Sequence, residues 1–139
     1  MSVHVVMDGS ALLSYALLGT EQLAVAELLT SVHENQGIVG VPAACVLDAF
    51  AELDLDGRTR LEDLLTDTDG VAVILPLLAG DTLPVAKRMS GMSIGQAHAL
   101  AEARTHAAML GTYHRGVYAP HLDKDDILDL DLDLDLDLD

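Results

Sequence analysis

One stretch near the start constrains the fold more than any other: Val3-His4-Val5-Val6-Met7-Asp8-Gly9-Ser10-Ala11-Leu12-Leu13. A short apolar run ends in a single acid, and a glycine and a serine then lead into a helical pattern. A buried parallel strand hands over to a helix in this way in α/β domains. Ligands of such sheets bind outside the carboxyl ends of the strands, so Asp8 stands where a site would form. Ser10 is placed to cap the helix that follows. Turn chemistry gives Asp8 an equal claim to a purely structural role.

The rest of the chain repeats the theme. Residues 3–7 read as a strand and 11–18 as a helix stopped by Gly19. Thr20 then caps a second helix that runs to His33. Ile38–Val41 is a second apolar strand, and Pro42 suits the first turn of the next helix. That helix, Ala43 to Leu53, is nearly all apolar and is expected to be buried on most sides. Its one internal charge, Asp48, must face a cleft, a partner or a cation, because a buried unpaired carboxylate is costly. Asp56-Gly57 reads as a turn, 58–66 as an amphipathic helix, 71–75 as a third strand and 82–89 as a short helix. Ser93 caps the longest helix, Ile94 to Ala108, and 110–113 reads as a short fourth strand. One strand alternating with two helices predicts an α/β fold. The expected form is a three-layer α/β/α sandwich around a mostly parallel, four- to five-stranded sheet with right-handed crossovers.

With 139 residues the chain is read as one domain, 1–122, followed by an acidic tail, 123–139. The tail holds an unbroken Leu-Asp alternation from Leu128 to Asp139. Asp disfavours strands and neighbouring like charges repel, which favours a largely disordered tail. The period of two favours an added edge strand beginning at Ile127. The net charge of −16, half of it from the tail, argues against a broad RNA- or DNA-binding face, which needs clustered Lys and Arg. It is compatible with an acidic pocket for a divalent cation. The single cysteine, Cys45, cannot form an internal disulfide and reads as a small buried hydrophobe. A reduced, cytoplasmic setting is expected on that ground, and no apolar run approaches the length of a membrane span.

Asp8 and Asp48 are the two isolated carboxylates, and a parallel sheet brings both to one edge. Carboxylates meeting in a cleft hold Mg²⁺ or Mn²⁺ for phosphodiester hydrolysis, given three or four oxygen ligands. His98, Glu102 and His106 share one stripe of the long helix. They read as a solvated polar face rather than a zinc site, since such a site wants four ligands and no cysteine is near. Arg58 and Arg60 read as surface charges. Lys87, Arg88 and Arg104 read as solvated unless they approach a phosphate.

The stretch from Val5 to Leu13, then Val41-Pro42-Ala43 with an acid at Asp48, then Ala97-His98-Ala99-Leu100-Ala101-Glu102-Ala103 leading to Leu110-Gly111-Thr112, resembles the PIN domain across residues 3–119. The resemblance implies an α/β/α sandwich and a Mg²⁺- or Mn²⁺-dependent ribonuclease of toxin–antitoxin type. It also implies an antitoxin-like protein partner and a homodimer. Residue by residue it gives Asp8 and Asp48 catalytic and metal-holding roles, with Asp48 where the family usually has Glu. Ser10 matches a hydroxyl that supports the first acid. Gln96 stands in the place of the third acid and His114 in that of the fourth. Half the acidic set is therefore replaced. Two functions stay open: a metal-dependent ribonuclease, and a catalytically inactive PIN-like module that binds or regulates. A third reading, an assembly protein acting through the Leu-Asp tail, rests on the repeat alone.

Overall fold

The computed structural model of the chain describes residues 2–17 and 22–131. Among the described residues five strands form one sheet: β1 (Val3–Met7), β2 (Ile38–Pro42), β3 (Ala72–Leu75), β4 (Met109–Thr112) and β5 (Ile127–Asp129). Their order across the sheet is β3-β2-β1-β4-β5, and every neighbouring pair is parallel. Val6, Met7, Val39, Val41 and Leu110 are fully buried, which is why the inner strands read as unbroken apolar runs.

Among the described residues seven helices flank the sheet: α1 (Gly9–Leu17), α2 (Gln22–Glu34), α3 (Ala43–Glu52), α4 (Leu55–Thr66), α5 (Thr82–Arg88), α6 (Ile94–His106) and α7 (Arg115–Tyr118). The chain walks outward from β1 to β3, then returns past β1 to β4. Right-handed crossovers therefore put α1–α4 on one face and the returning α5 and α6 on the other. The result is a three-layer α/β/α sandwich, and α6 lies against β1, β2 and β4.

Several boundaries differ from the sequence reading, each for a local reason. The first helix starts at Gly9, and its cap is Asp8 rather than Ser10: Asp8 Oδ1 accepts the backbone N–H groups of Ser10 (3.1 Å) and Ala11 (3.2 Å). The expected stop at Gly19 and cap at Thr20 lie outside the described residues. Asp56-Gly57 is not a turn but the first turn of α4, because Asp54 caps that helix through a 2.8 Å bond from Gly57 N–H. The helix α3 is buried on one side only, with Leu47 72% exposed. The Ser93 cap of α6 is as expected, and Gln96 completes a reciprocal capping box with it.

The sheet also extends past residue 122. Ile127 and Leu130 are buried, and β5 pairs with β4 in the register Leu110–Ile127, Gly111–Leu128 and Thr112–Asp129. The start of the Leu-Asp alternation is thus an edge strand of the domain, and its remainder, 132–139, lies outside the described residues.

Candidate functional site

The strand order reverses between β1 and β4. In an open parallel sheet the crevice above the carboxyl ends at such a switch point is the natural binding place. Asp8 is the first residue after β1, and Thr112 is the last of β4. Both sides of the crevice are therefore built from residues more than a hundred positions apart.

Asp8 is 1% exposed and accepts five hydrogen bonds. Its Oδ1 takes the Ser10 hydroxyl at 2.6 Å besides the two capped backbone groups. Its Oδ2 takes the Thr112 hydroxyl at 2.7 Å and the Tyr118 phenol at 2.8 Å. The Thr112 hydroxyl oxygen is itself held by His114 N–H at 2.8 Å. Asp8 thus ties β1, α1, β4 and α7 together. Burial first, and Asp8 second, push the Tyr118 phenol well above its ordinary range. The same two causes, in the same order, push up the Cys45 thiol, whose Sγ donates to Gly95 carbonyl at 3.1 Å. Cys45 is buried and protonated, so it is no nucleophile.

The crevice is a cleft of about 150 Å³ lined by Asp8, Ser10, Asp48, Glu52, Gln96 and His114, among others. The two isolated acids of the sequence do share one rim. Asp48 reaches it from α3, half-buried against the start of α6, where Gly95 lets the helix approach: a Cβ there would sit 2.5 Å from Asp48 Oδ2. The N-terminus of α6 offers partial positive charge to that carboxylate. Glu52, one turn beyond Asp48, lines the same cleft. Sequence reading passed over it, although the i,i+4 spacing from Asp48 was a signal for it. Tyr118 was also passed over, and nothing local in the sequence marks it.

The remaining candidates fall as follows. Ser10 supports Asp8. Gln96 lines the cleft, but its Oε1 is taken by Ser93 N–H at 3.0 Å. His114 is exposed at the cleft mouth. His98 and Glu102 do not form a solvated face. His98 is fully buried, and its Nδ1 accepts Ala44 N–H at 3.4 Å, satisfying an orphan donor at the start of α3. The ring proton therefore sits on Nε2 and points to Glu102 Oε1 at 3.3 Å, while His106 holds Oε2 at 3.2 Å. Arg58, Arg60 and Arg104 each donate one hydrogen bond to a carbonyl, of Phe50, Ala16 and His121 respectively, and Arg58 and Arg104 are exposed.

A divalent cation at Asp8 does not fit this donor set. A carboxylate offers about four lone-pair directions, and protein donors already claim all of those on Asp8. Among the described residues no three His, Cys, Asp or Glu side chains group as metal ligands. Asp48 and Glu52, by contrast, receive no hydrogen bond among the described residues.

No family model matches the chain, and no curated protein matches it. Among solved structures it is similar to the crystal structure of PAE2754 from Pyrobaculum aerophilum, with a TM-score of 0.54 and 15% identity over 99% of this chain and 91% of that one. At that identity the likeness is one of fold, and it spans the whole parallel sheet with its flanking helices. No described helix is long and apolar enough to cross a membrane.

Proposed function

We propose that the chain is a PIN-like domain whose cleft recognises a partner instead of holding a hydrolytic metal ion. One observation carries this reading: both oxygens of Asp8 are already claimed by five protein donors. The free acids of the cleft are then Asp48 and Glu52, which suit a cationic side chain on an antitoxin-like protein. The overall charge of −16 favours such a basic partner over RNA.

A Mg²⁺- or Mn²⁺-dependent ribonuclease is the second reading, favoured by the meeting of Asp8, Asp48 and Glu52 at the switch point. Titration calorimetry with Mn²⁺ and an RNA-cleavage assay separate the two. The recognition reading expects no saturable Mn²⁺ binding through Asp8 and no cleavage. Mn²⁺ binding and cleavage that both disappear in Asp8→Asn would establish the nuclease instead.

A further inference from the structure

We propose that the chain self-associates through the outer edge of β3, two copies pairing their β3 strands antiparallel about a two-fold axis. The inference goes beyond the reading of the cleft and does not depend on what binds there. Among the described residues β3 pairs only with β2. Val39 N–H donates to the Val71 carbonyl at 3.0 Å, so Val71, and in alternation Val73 and Leu75, turn their backbone groups toward β2. Ala72 and Ile74 turn theirs outward, where no described strand meets them. Successive side chains point to opposite faces of a sheet, and Val73 and Ile74 are 39% and 44% exposed. Neither helical layer therefore covers the strand fully at this edge. Leu77, Leu78 and Leu83 lie exposed just beyond it in the chain.

Charge selects a second copy as the occupant. Residues 71–80 hold no charged side chain in a chain of net charge −16, so two copies can pair here without setting carboxylate against carboxylate in the paired segment. Asp67 and Asp69 precede β3 at its amino end. Lys87 and Arg88 end α5 at the carboxyl rim of the sheet, shortly before Ser93 of the cleft wall, and they make no hydrogen bond or ion pair among the described residues. Antiparallel pairing puts the amino end of one β3 beside the carboxyl end of the other, which brings the acids of each copy to the side of the other's bases. The opposite edge, β5, contains Asp129 and is followed by Asp131, charges of the kind that guard a strand edge against pairing. Pairing of β3 with β3 is isologous and closes at two copies. Ala72 of each copy then exchanges backbone bonds with Ile74 of the other. The two Val73 residues face each other as a non-hydrogen-bonded pair, their Cα atoms about 4.5 Å apart.

The test is sedimentation equilibrium on the full chain, on Val73→Lys and on a chain ending after Asp131, with folding checked by circular dichroism. The wild type should sediment at twice the mass of one chain at micromolar concentration. Val73→Lys sets two like charges directly opposite while lowering the net negative charge, and it should raise the dimer dissociation constant by at least about tenfold. The chain ending after Asp131 should remain a dimer. Val73→Cys, treated with diamide as oxidant, should form a disulfide-linked dimer, because the facing Cα separation suits that bond. The wild type, whose one cysteine is the buried Cys45, should not. Val73→Cys also decides the matter should Val73→Lys not fold. A monomeric wild type overturns the proposal, as does a dimer that survives a folded Val73→Lys or a Val73→Cys that does not cross-link. A dimer lost on ending the chain after Asp131 overturns it in favour of the Leu-Asp tract as the occupant of this edge.

Discussion

Replacing Asp8 by Asn distinguishes a carboxylate that holds the fold from one kept for a metal. The amide is nearly isosteric, and Asn caps helices as well as Asp does. Its oxygen can keep the α1 contacts of Oδ1. Its NH₂ then faces the two hydroxyls that now donate to Oδ2, at 2.7 Å from Thr112 and 2.8 Å from Tyr118. Both bonds are to a charged acceptor, a class that contributes about 1.5–3 kcal/mol each. Thr112 can turn and accept from the new amide, recovering part of one bond. The buried Tyr118 hydroxyl makes no other hydrogen bond among the described residues, and a stranded buried donor costs about 1–3 kcal/mol.

The net loss for Asp8→Asn is therefore about 3 kcal/mol. A melting temperature lower by about 9 °C follows for a domain of this size. Urea unfolding followed by circular dichroism should show this as a lower midpoint with an unchanged slope. Asp48→Asn is the control. That carboxylate accepts no hydrogen bond among the described residues, so its loss should move stability by no more than about 0.5 kcal/mol. A carboxylate maintained for a cation at the expense of stability behaves oppositely, and its neutralisation commonly stabilises the metal-free protein. Asp8→Asn as stable as wild type, or more so, would refute the structural role given to Asp8. In a double-mutant cycle, Asp8→Asn and Tyr118→Phe should couple by about 1 kcal/mol or more.

Three other outcomes are expected. Tyr118 and Cys45 keep their protons in the folded state, whereas in the unfolded chain they ionise near their ordinary values of 10.0 and 9.0. Their contribution is complete below those values and is lost as pH rises, so stability should fall above pH 10 by about 1.4 kcal/mol per unit for each group; urea midpoints from pH 8 to 11 check this, and Tyr118→Phe should fall less steeply. His98→Leu strands Ala44 N–H and takes one partner from Glu102, and a thermal melt should report a loss of about 2–3 kcal/mol. Ending the chain after Asp126 removes the buried Ile127 and Leu130 and should cost about 3–5 kcal/mol by urea unfolding, whereas ending it after Asp131 removes neither.

The alternation of apolar strands with helix pairs was legible because periodicity is local, and it yielded four of the five strands, β1 to β4, within a residue or two. The convergence of Asp8 and Asp48 was legible as well, because parallel topology brings the ends of strands to one side. Less legible was the occupancy of Asp8. Its strand-end position is equally that of a ligand and of a cap, and the donors that decide between them come from Thr112 and Tyr118, beyond any local pattern. His98 failed in the same way. A polar stripe at i, i+4, i+8 reads as solvated until the N-terminus of α3 supplies a buried N–H for it to accept. Glu52 was within reach, since it follows Asp48 by one turn.

The outermost strand is drawn from a tract in which one dipeptide recurs six times, Leu128 to Asp139. A strand also repeats every two residues, so sliding the tract by one unit would offer β4 the same kinds of side chain on the same faces. What distinguishes one alignment from the next is Ile127, the buried residue that precedes the tract and sits opposite Leu110. That isoleucine acts as the stop against which the pairing is set. Gain or loss of whole dipeptides further along would then alter the charge of the molecule in single steps while leaving the alignment of the sheet as it is.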